Sequence, residues 1–191
     1  MHRETRRLTY QVDLPGGPIR LREMVLYVSA RAMNMPRWGK TKLNKILWDA
    51  DFSAYRERNL PVTGRPYQKL PAGPGPVEMP VILAQMEQDG TIEIEPIKVG
   101  SHVEQRIVPK TTPVLHFFSA DDLTYVDKAI AHFWEMTAGE ASDESHGVAW
   151  KTRHNLDPLP YESALLLDET LGGQSLVRIK ELAAEQGWKS E

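Results

Sequence analysis

The chain has 191 residues, 41% of them hydrophobic, with no cysteine and a net charge of −3. That apolar content suffices for one core, and the missing thiols exclude disulfides, thiolate catalysis and cysteine-ligated zinc. No apolar run approaches the ~20 residues of a membrane span, and the first residues lack a secretory apolar stretch, so a soluble protein of the reducing cytoplasm, with no membrane partner, is expected.

Residues 1–17 are polar and end in Pro15, Gly16 and Gly17, which reads as a loose arm with one short strand around Leu8 to Val12. From Pro18 the pattern turns helical: Ile19, Leu21, Met24, Val25, Val28 and Ala32 form an apolar stripe that Pro36 ends. A second helix starts near Thr41, its expected N-cap, with Leu43, Ile46, Leu47, Ala50 and Ala54 on its apolar side and Lys42, Lys45, Arg56 and Arg58 flanking them. Leu60 to Pro76 is rich in proline and glycine and reads as loop, with room for one strand around Arg65 to Leu70. A third helix follows, with apolar positions Val77, Val81, Leu83, Ala84 and Met86, and Gly90 stops it. Thr91–Val99 and Gln105–Pro109 are rich in β-branched residues and predict a β-hairpin.

Ser119 and Asp122 mark the start of a fourth helix through Leu123, Val126, Ile130 and Phe133. Thr137 and Glu140 have capping-box spacing, so a short helix begins there and Gly147 is expected to close it. His146 then lies where a helix C-terminus favours a cation, and Pro158 and Pro160 hold the next segment extended. Helices of about 162–170 and 175–186 complete the chain. The fold class is therefore mainly α with a small β-hairpin, an α+β chain. An arm of 1–17, a single compact domain of 18–187 and a tail of 188–191 divide it, and the first half has the helix-helix-helix-hairpin order of a winged helix.

Catalytic signatures fail one by one. Gly39, Lys40 and Thr41 resemble the end of a phosphate-binding loop, but Asn34 stands where a glycine is needed and a helix, not a strand, precedes the segment. His132, His146 and His154, near Glu140, Asp143 and Glu144, match no metal-ligand spacing, and no G-x-S-x-G surrounds Ser142, Ser145, Ser163 or Ser175. The residues predict no enzyme, cofactor or metal.

Charge leaves a second reading open. Residues 1–70 hold 14 Lys and Arg against 6 Asp and Glu, and the remainder holds 9 against 20, giving +8 and −11. Either the two halves pack together with solvated charged faces, or the basic half meets nucleic acid. The third helix, with Glu78, Glu87 and Asp89 and no basic residue, is a poor groove reader; a basic face at Lys42, Lys45, Arg56 and Arg58 is the remaining candidate for phosphate contact.

Three pieces, TKLNKILWDADF at Thr41–Phe52, GPVEM at Gly75–Met79, and ASDESHGVAWK with LPYE at Ala141–Lys151 and Leu159–Glu162, together resemble the Panacea domain family of SocA-like antitoxins. The chain departs from the family in lacking aromatic residues directly before Gly75. The resemblance implies a mainly helical protein that neutralises a cognate protein toxin by direct binding, the toxin being encoded by the adjacent gene. One founding member is an adaptor that delivers its toxin to a protease, so a protease is a second implied partner; transcriptional regulation through DNA, alone or with the toxin, is the alternative. Trp48, Gly75, Pro76, Val77, His146, Trp150 and Tyr161 are the motif positions for partner binding or for structural anchoring.

Overall fold

A computed structural model describes residues 8–99 and 102–166. The first seven residues of the arm, residues 167–170 of the helix expected at 162–170 and all of that at 175–186 lie outside the described residues; the described start of the former is a 3-10 turn, not an α-helix. Helices α1 (Ile19–Arg31), α2 (Lys40–Arg58), α3 (Met79–Gln88), α4 (Ala120–Phe133), α5 (Ala138–Glu144) and α6 (Val148–Lys151) alternate with strands β1 (Tyr67–Leu70), β2 (Gly73–Pro76), β3 (Ile92–Val99), β4 (His102–Pro109) and β5 (Pro158–Leu159), and a 3-10 turn at Tyr161–Leu165 follows. Among the described residues no helix is long and apolar enough to cross a membrane.

The α+β class stands, with one difference of order. A hairpin, β1–β2, separates α2 from α3, so the winged-helix-like succession is interrupted. Its second strand is Gly-Pro-Gly-Pro, a sequence expected to be loop. It forms because β2 lies at the edge of a three-stranded antiparallel sheet ordered β2-β1-β5, where proline's missing N–H costs no ladder bond on the open side. The sheet also ties the late motif to the middle of the chain, since β5 pairs with Tyr67 and Gln68. The strand expected at Leu8–Val12 is absent; that stretch makes isolated backbone bonds, Val12 N–H to Gly64 O at 2.9 Å and Tyr161 N–H to Thr9 O at 2.7 Å.

Helix α2 is the axis of the molecule and packs against α1, α4, α5, β2, β4 and the 3-10 turn. Leu43, Ile46, Leu47, Ala50 and Ala54 meet Leu21, Met24 and Val28 of α1 and Val126, Ile130 and Phe133 of α4 in the main core. Each fully buried leucine or isoleucine there contributes ~1.5–3 kcal/mol. Ile92 and Ile107 seat the β3–β4 hairpin in that core, and the Trp38 indole N–H donates to Ile107 O at 3.0 Å. In α3 only one face joins it: Met79, Leu83 and Met86 are buried while Val77, Pro80, Val81 and Ala84 are exposed.

Local chemistry sets most helix ends as expected. Ser119 with Asp122, and Thr137 with Glu140, form complete capping boxes at α4 and α5. Two expectations shift. The N-cap of α2 is Gly39, not Thr41, and no side chain caps it. Ser145, not Gly147, ends α5, and Gly147 instead starts α6 by accepting from the N–H groups of Trp150 and Lys151.

The charge asymmetry resolves internally. Arg20–Asp122, Arg22–Asp89, Arg31–Asp127, Arg58–Asp122 and Arg65–Glu78 each join a residue of the basic half to one of the acidic half. Asp122 is the most demanding partner, serving two arginines and the α4 cap at 9% side-chain exposure. Replacing it leaves the buried Arg20, whose side chain is 4% exposed, with carbonyl acceptors but without its carboxylate. D122A is therefore expected to lower unfolding free energy by ~3–5 kcal/mol in urea titrations, whereas R31A, at an exposed pair, costs under about 1 kcal/mol; equal effects would contradict this assignment.

Candidate functional site

The three motif segments converge on the β1–β2 hairpin. From α2, Phe52 reaches Tyr67 on β1 at 5.3 Å between ring centroids and Tyr161 at 5.1 Å, and Tyr55 stacks on Tyr161 at 5.2 Å. The Tyr161 hydroxyl donates to Arg65 O at 2.7 Å, which pins the 3-10 turn to the start of the hairpin. Beneath the rings Asp51 is wholly buried and accepts from the Thr63 backbone N–H at 2.5 Å, the Thr63 hydroxyl and the Tyr67 hydroxyl at 2.8 Å. Burial pushes its carboxyl up to about 6 against the pull of those donors, and burial likewise raises Tyr67 and Tyr161 well above the usual phenol range.

On the other side of the hairpin, α5 and α6 bring the late motif. The Trp150 indole N–H donates to Leu70 O at 3.0 Å; His146 lies flat on the indole, 3.7 Å between centroids and 9° between planes, and Lys69 Nζ is 3.9 Å from the ring centroid. A parallel stack at that distance with an ammonium on the same indole holds the three side chains as a unit. Ala72 O, in the turn between the strands, accepts from Ser142 Oγ at 2.9 Å and from Lys45 Nζ. Gly73 fits between them: its φ is +109°, and a Cβ there would sit 1.9 Å from Lys45 Nζ and 2.3 Å from Ser145 Oγ. At Gly75 a Cβ would approach Leu70 Cδ1 to 2.9 Å and the Asn44 amide to 3.1 Å, so the motif glycine lets β2 lie against α2.

Of the seven motif positions, Gly75, Pro76 and Tyr161 are buried, Trp48, His146 and Trp150 half-buried, and Val77 exposed at 41%. Trp48 and Trp150 share a cleft of about 240 Å³ with Phe52, His132 and Glu144, and His146 backs it through the indole. Val77 does not join them; its N–H donates to Pro66 O at 2.9 Å and its side chain faces outward at the foot of α3.

Two expectations are overturned. The environment of His146 disfavours a cation at the α5 terminus: burial and the charge of Lys45 push its imidazole below the usual value, and Nε2 is buried without a partner. The basic face of α2 is reduced to Arg56, because Lys42 and Lys45 are each 1% exposed and Arg58 is bound to Asp122, and only Arg56 of the four is exposed. Lys42 Nζ donates to Pro36 O at 2.7 Å and Trp134 O at 3.1 Å, and burial lowers its pKa. The histidines go separate ways, His132 to Glu144 at 3.4 Å and His154 to Asp157 at 3.5 Å, and no group of three metal-ligating side chains forms among the described residues. Asn44 and Asp51 were not singled out from sequence, and Lys45 was named only as part of a basic face, although all three stand inside the first motif piece.

A family model described as antitoxin SocA-like, Panacea domain, matches residues 43–151, more than half of the chain. No curated protein and no solved structure matches it.

Lys45 gives this arrangement a pH signature. Its ordinary pKa of 10.5 applies to the unfolded chain, and burial lowers it to about 7 in the fold. Below the lower value both states hold the proton and the fold bears the whole cost of a desolvated ammonium; between the two values the unfolded chain binds more protons, so stability rises with pH. Relative to K45M, the wild-type protein should gain on the order of 1 kcal/mol per pH unit across that window in urea unfolding. A difference between the two proteins that stays flat with pH would show that Lys45 is not desolvated.

Proposed function

The chain belongs to the SocA-like Panacea antitoxin family, and from that premise we propose that it neutralises a cognate protein toxin by masking the toxin's active surface, making and breaking no covalent bond itself. The observation that carries this reading is the second apolar face of α3. Val77, Pro80, Val81 and Ala84 recur at helical spacing and are exposed, Val81 at 60%, while the helix already satisfies the core with Met79, Leu83 and Met86. An exposed apolar strip of this kind, entered directly from the Gly-Pro-Val motif, fits the desolvated centre of a protein interface. Glu87 at its far end and the absence of Lys and Arg from the helix favour a basic toxin surface opposite it.

Delivery of the bound toxin to a protease is a further step that masking does not require. Toxin half-life in cells with and without this protein separates the two: masking leaves the half-life unchanged or longer, and delivery shortens it. Binding to DNA finds less support, since the lysines that motivated it are inside the fold and the arginines are largely paired.

Co-expression with the product of the adjacent reading frame tests the reading. The wild-type protein should restore growth and co-purify with the toxin, and V81E, which places a charge in the strip and leaves the core alone, should weaken binding by ~10- to 100-fold at an unchanged melting temperature. A toxic neighbour that stays toxic and does not co-purify would refute toxin neutralisation; full rescue by V81E would remove α3 as the interface.

A further inference from the structure

The cleft shared by Trp48 and Trp150 holds a carboxylate that, among the described residues, no cation pairs. Asp49, Ser53 and Arg56 line it from α2 at four- and three-residue steps, which puts them on one side of the helix. His132 of α4 and Glu144 of α5 also line it; they face each other at 3.4 Å with side chains 42% and 54% exposed, so the cleft reaches solvent there. Arg56 is exposed, and its guanidinium donates to Ser53 Oγ at 3.5 Å.

Asp49 is the unusual member of this set. It is half-buried, and among the described residues its one hydrogen-bond donor is the Ser53 hydroxyl, at 3.1 Å. By contrast, Asp51 receives three donors and Asp122 two arginines. A carboxylate drawn out of water with a single neutral donor recovers little of its lost hydration. Burial accordingly pushes Asp49 above the usual carboxylate range, against the pull of Ser53, His132 and Arg56. Its surroundings are aromatic: the Trp48 ring lies 5.8 Å from that of Phe52, and both line the cleft with Trp150. The volume of about 240 Å³ suits one inserted side chain; sites that hold a whole small molecule run to ~300–1,000 Å³.

We propose that this cleft receives an arginine side chain of a protein partner, its guanidinium donating to the Asp49 carboxylate beside the Trp48 ring. Arginine fits on three counts: its planar fork bonds a carboxylate through two parallel donors, it stacks on aromatic faces, and it is more weakly hydrated than an ammonium and so loses less on entering a half-buried space. Arginine and tryptophan are also the side chains that most often carry the energy of protein interfaces. Arg56 sets a like charge at the rim, which Glu144 offsets in part. The inference rests on the toxin reading above only for the partner's identity, to which it adds a receptor for one cation of the basic toxin surface; the cleft and the α3 strip share no residue.

NMR titration of the full-length protein with N-acetyl-arginine amide, and with its citrulline analogue, tests this without a toxin. The arginine compound should bind at millimolar strength and shift the indole N–H signals of Trp48 and Trp150 while that of the buried Trp38 stays in place. Citrulline, which keeps the shape and lacks the charge, should bind at least ~5-fold more weakly, and D49N, which keeps the shape of the acid and an acceptor for Ser53, should lose at least ~5-fold for arginine at an unchanged or higher melting temperature. R56Q removes the like charge at the rim and should bind arginine as tightly as the wild type or more tightly. No shift of Trp48 or Trp150 up to ~50 mM, citrulline binding as well as arginine, D49N binding as well as the wild type, or binding that appears only in R56Q would each overturn the proposal. A positive titration supports the cleft even where co-expression refutes the toxin, so the two failures are told apart.

Discussion

Helix α2 has almost no solvent face along its first three turns, and that burial includes side chains that are expensive to bury. Lys42, Asn44, Lys45 and Asp51 all lie within the fold. An ammonium or carboxylate removed from water must recover its lost hydration from nearby dipoles or give up its charge. The chain does some of each: carbonyls of Pro36 and Trp134 face Lys42, the Ala72 carbonyl faces Lys45, Thr63 and Tyr67 donate to Asp51, and the Lys45 and Asp51 pKa values move toward neutrality. All of these partners but Tyr67 sit on connections, which is why segments that look like loop are fixed in place. The β1–β2 turn is held by Lys45 and Ser142 through one carbonyl, and the tolerance there is so small that only glycine fits at position 73.

Much of this was legible in the sequence where the cause is local. Stripes at three- and four-residue spacing located α1, α2 and α4, and the Ser119/Asp122 and Thr137/Glu140 boxes marked two helix starts. What escaped depends on distant partners. Gly-Pro-Gly-Pro becomes a strand only because β1 offers a ladder and the outer edge is left open. Lys42 and Lys45 read as a solvated flank because their partners, from Pro36 to Trp134, lie up to 92 residues away in sequence. His146 looked like a helix-terminal cation; its environment is set by Trp150 and Lys45, neither of which a dipole argument includes. Val77, Val81, Leu83, Ala84 and Met86 were visible as apolar positions while the buried Met79 was missed, and periodicity alone does not say that a short helix has two apolar faces and only one core to fill.

For function the result is a division of labour. Five described arginines of the basic half, Arg20, Arg22, Arg31, Arg58 and Arg65, are paired with carboxylates of the acidic half, so much of the net asymmetry of the sequence is taken up inside the fold. Tyr161, Gly75 and Pro76 act as anchors that set the hairpin against α2, and the hairpin in turn launches α3 with its outer strip exposed. In the function proposed above, the strip on α3 is the binding surface, and the buried motif residues position it without belonging to it.

The dependence of the fold on α2 is most directly measured by native-state hydrogen exchange. If the helix is the fully enclosed axis, the amides of Leu43–Ala54 exchange only through global unfolding, with protection equal to the total stability and above that of α5 and the β3–β4 hairpin. Exchange of those amides by local opening, at or below the protection of α5, would contradict the account.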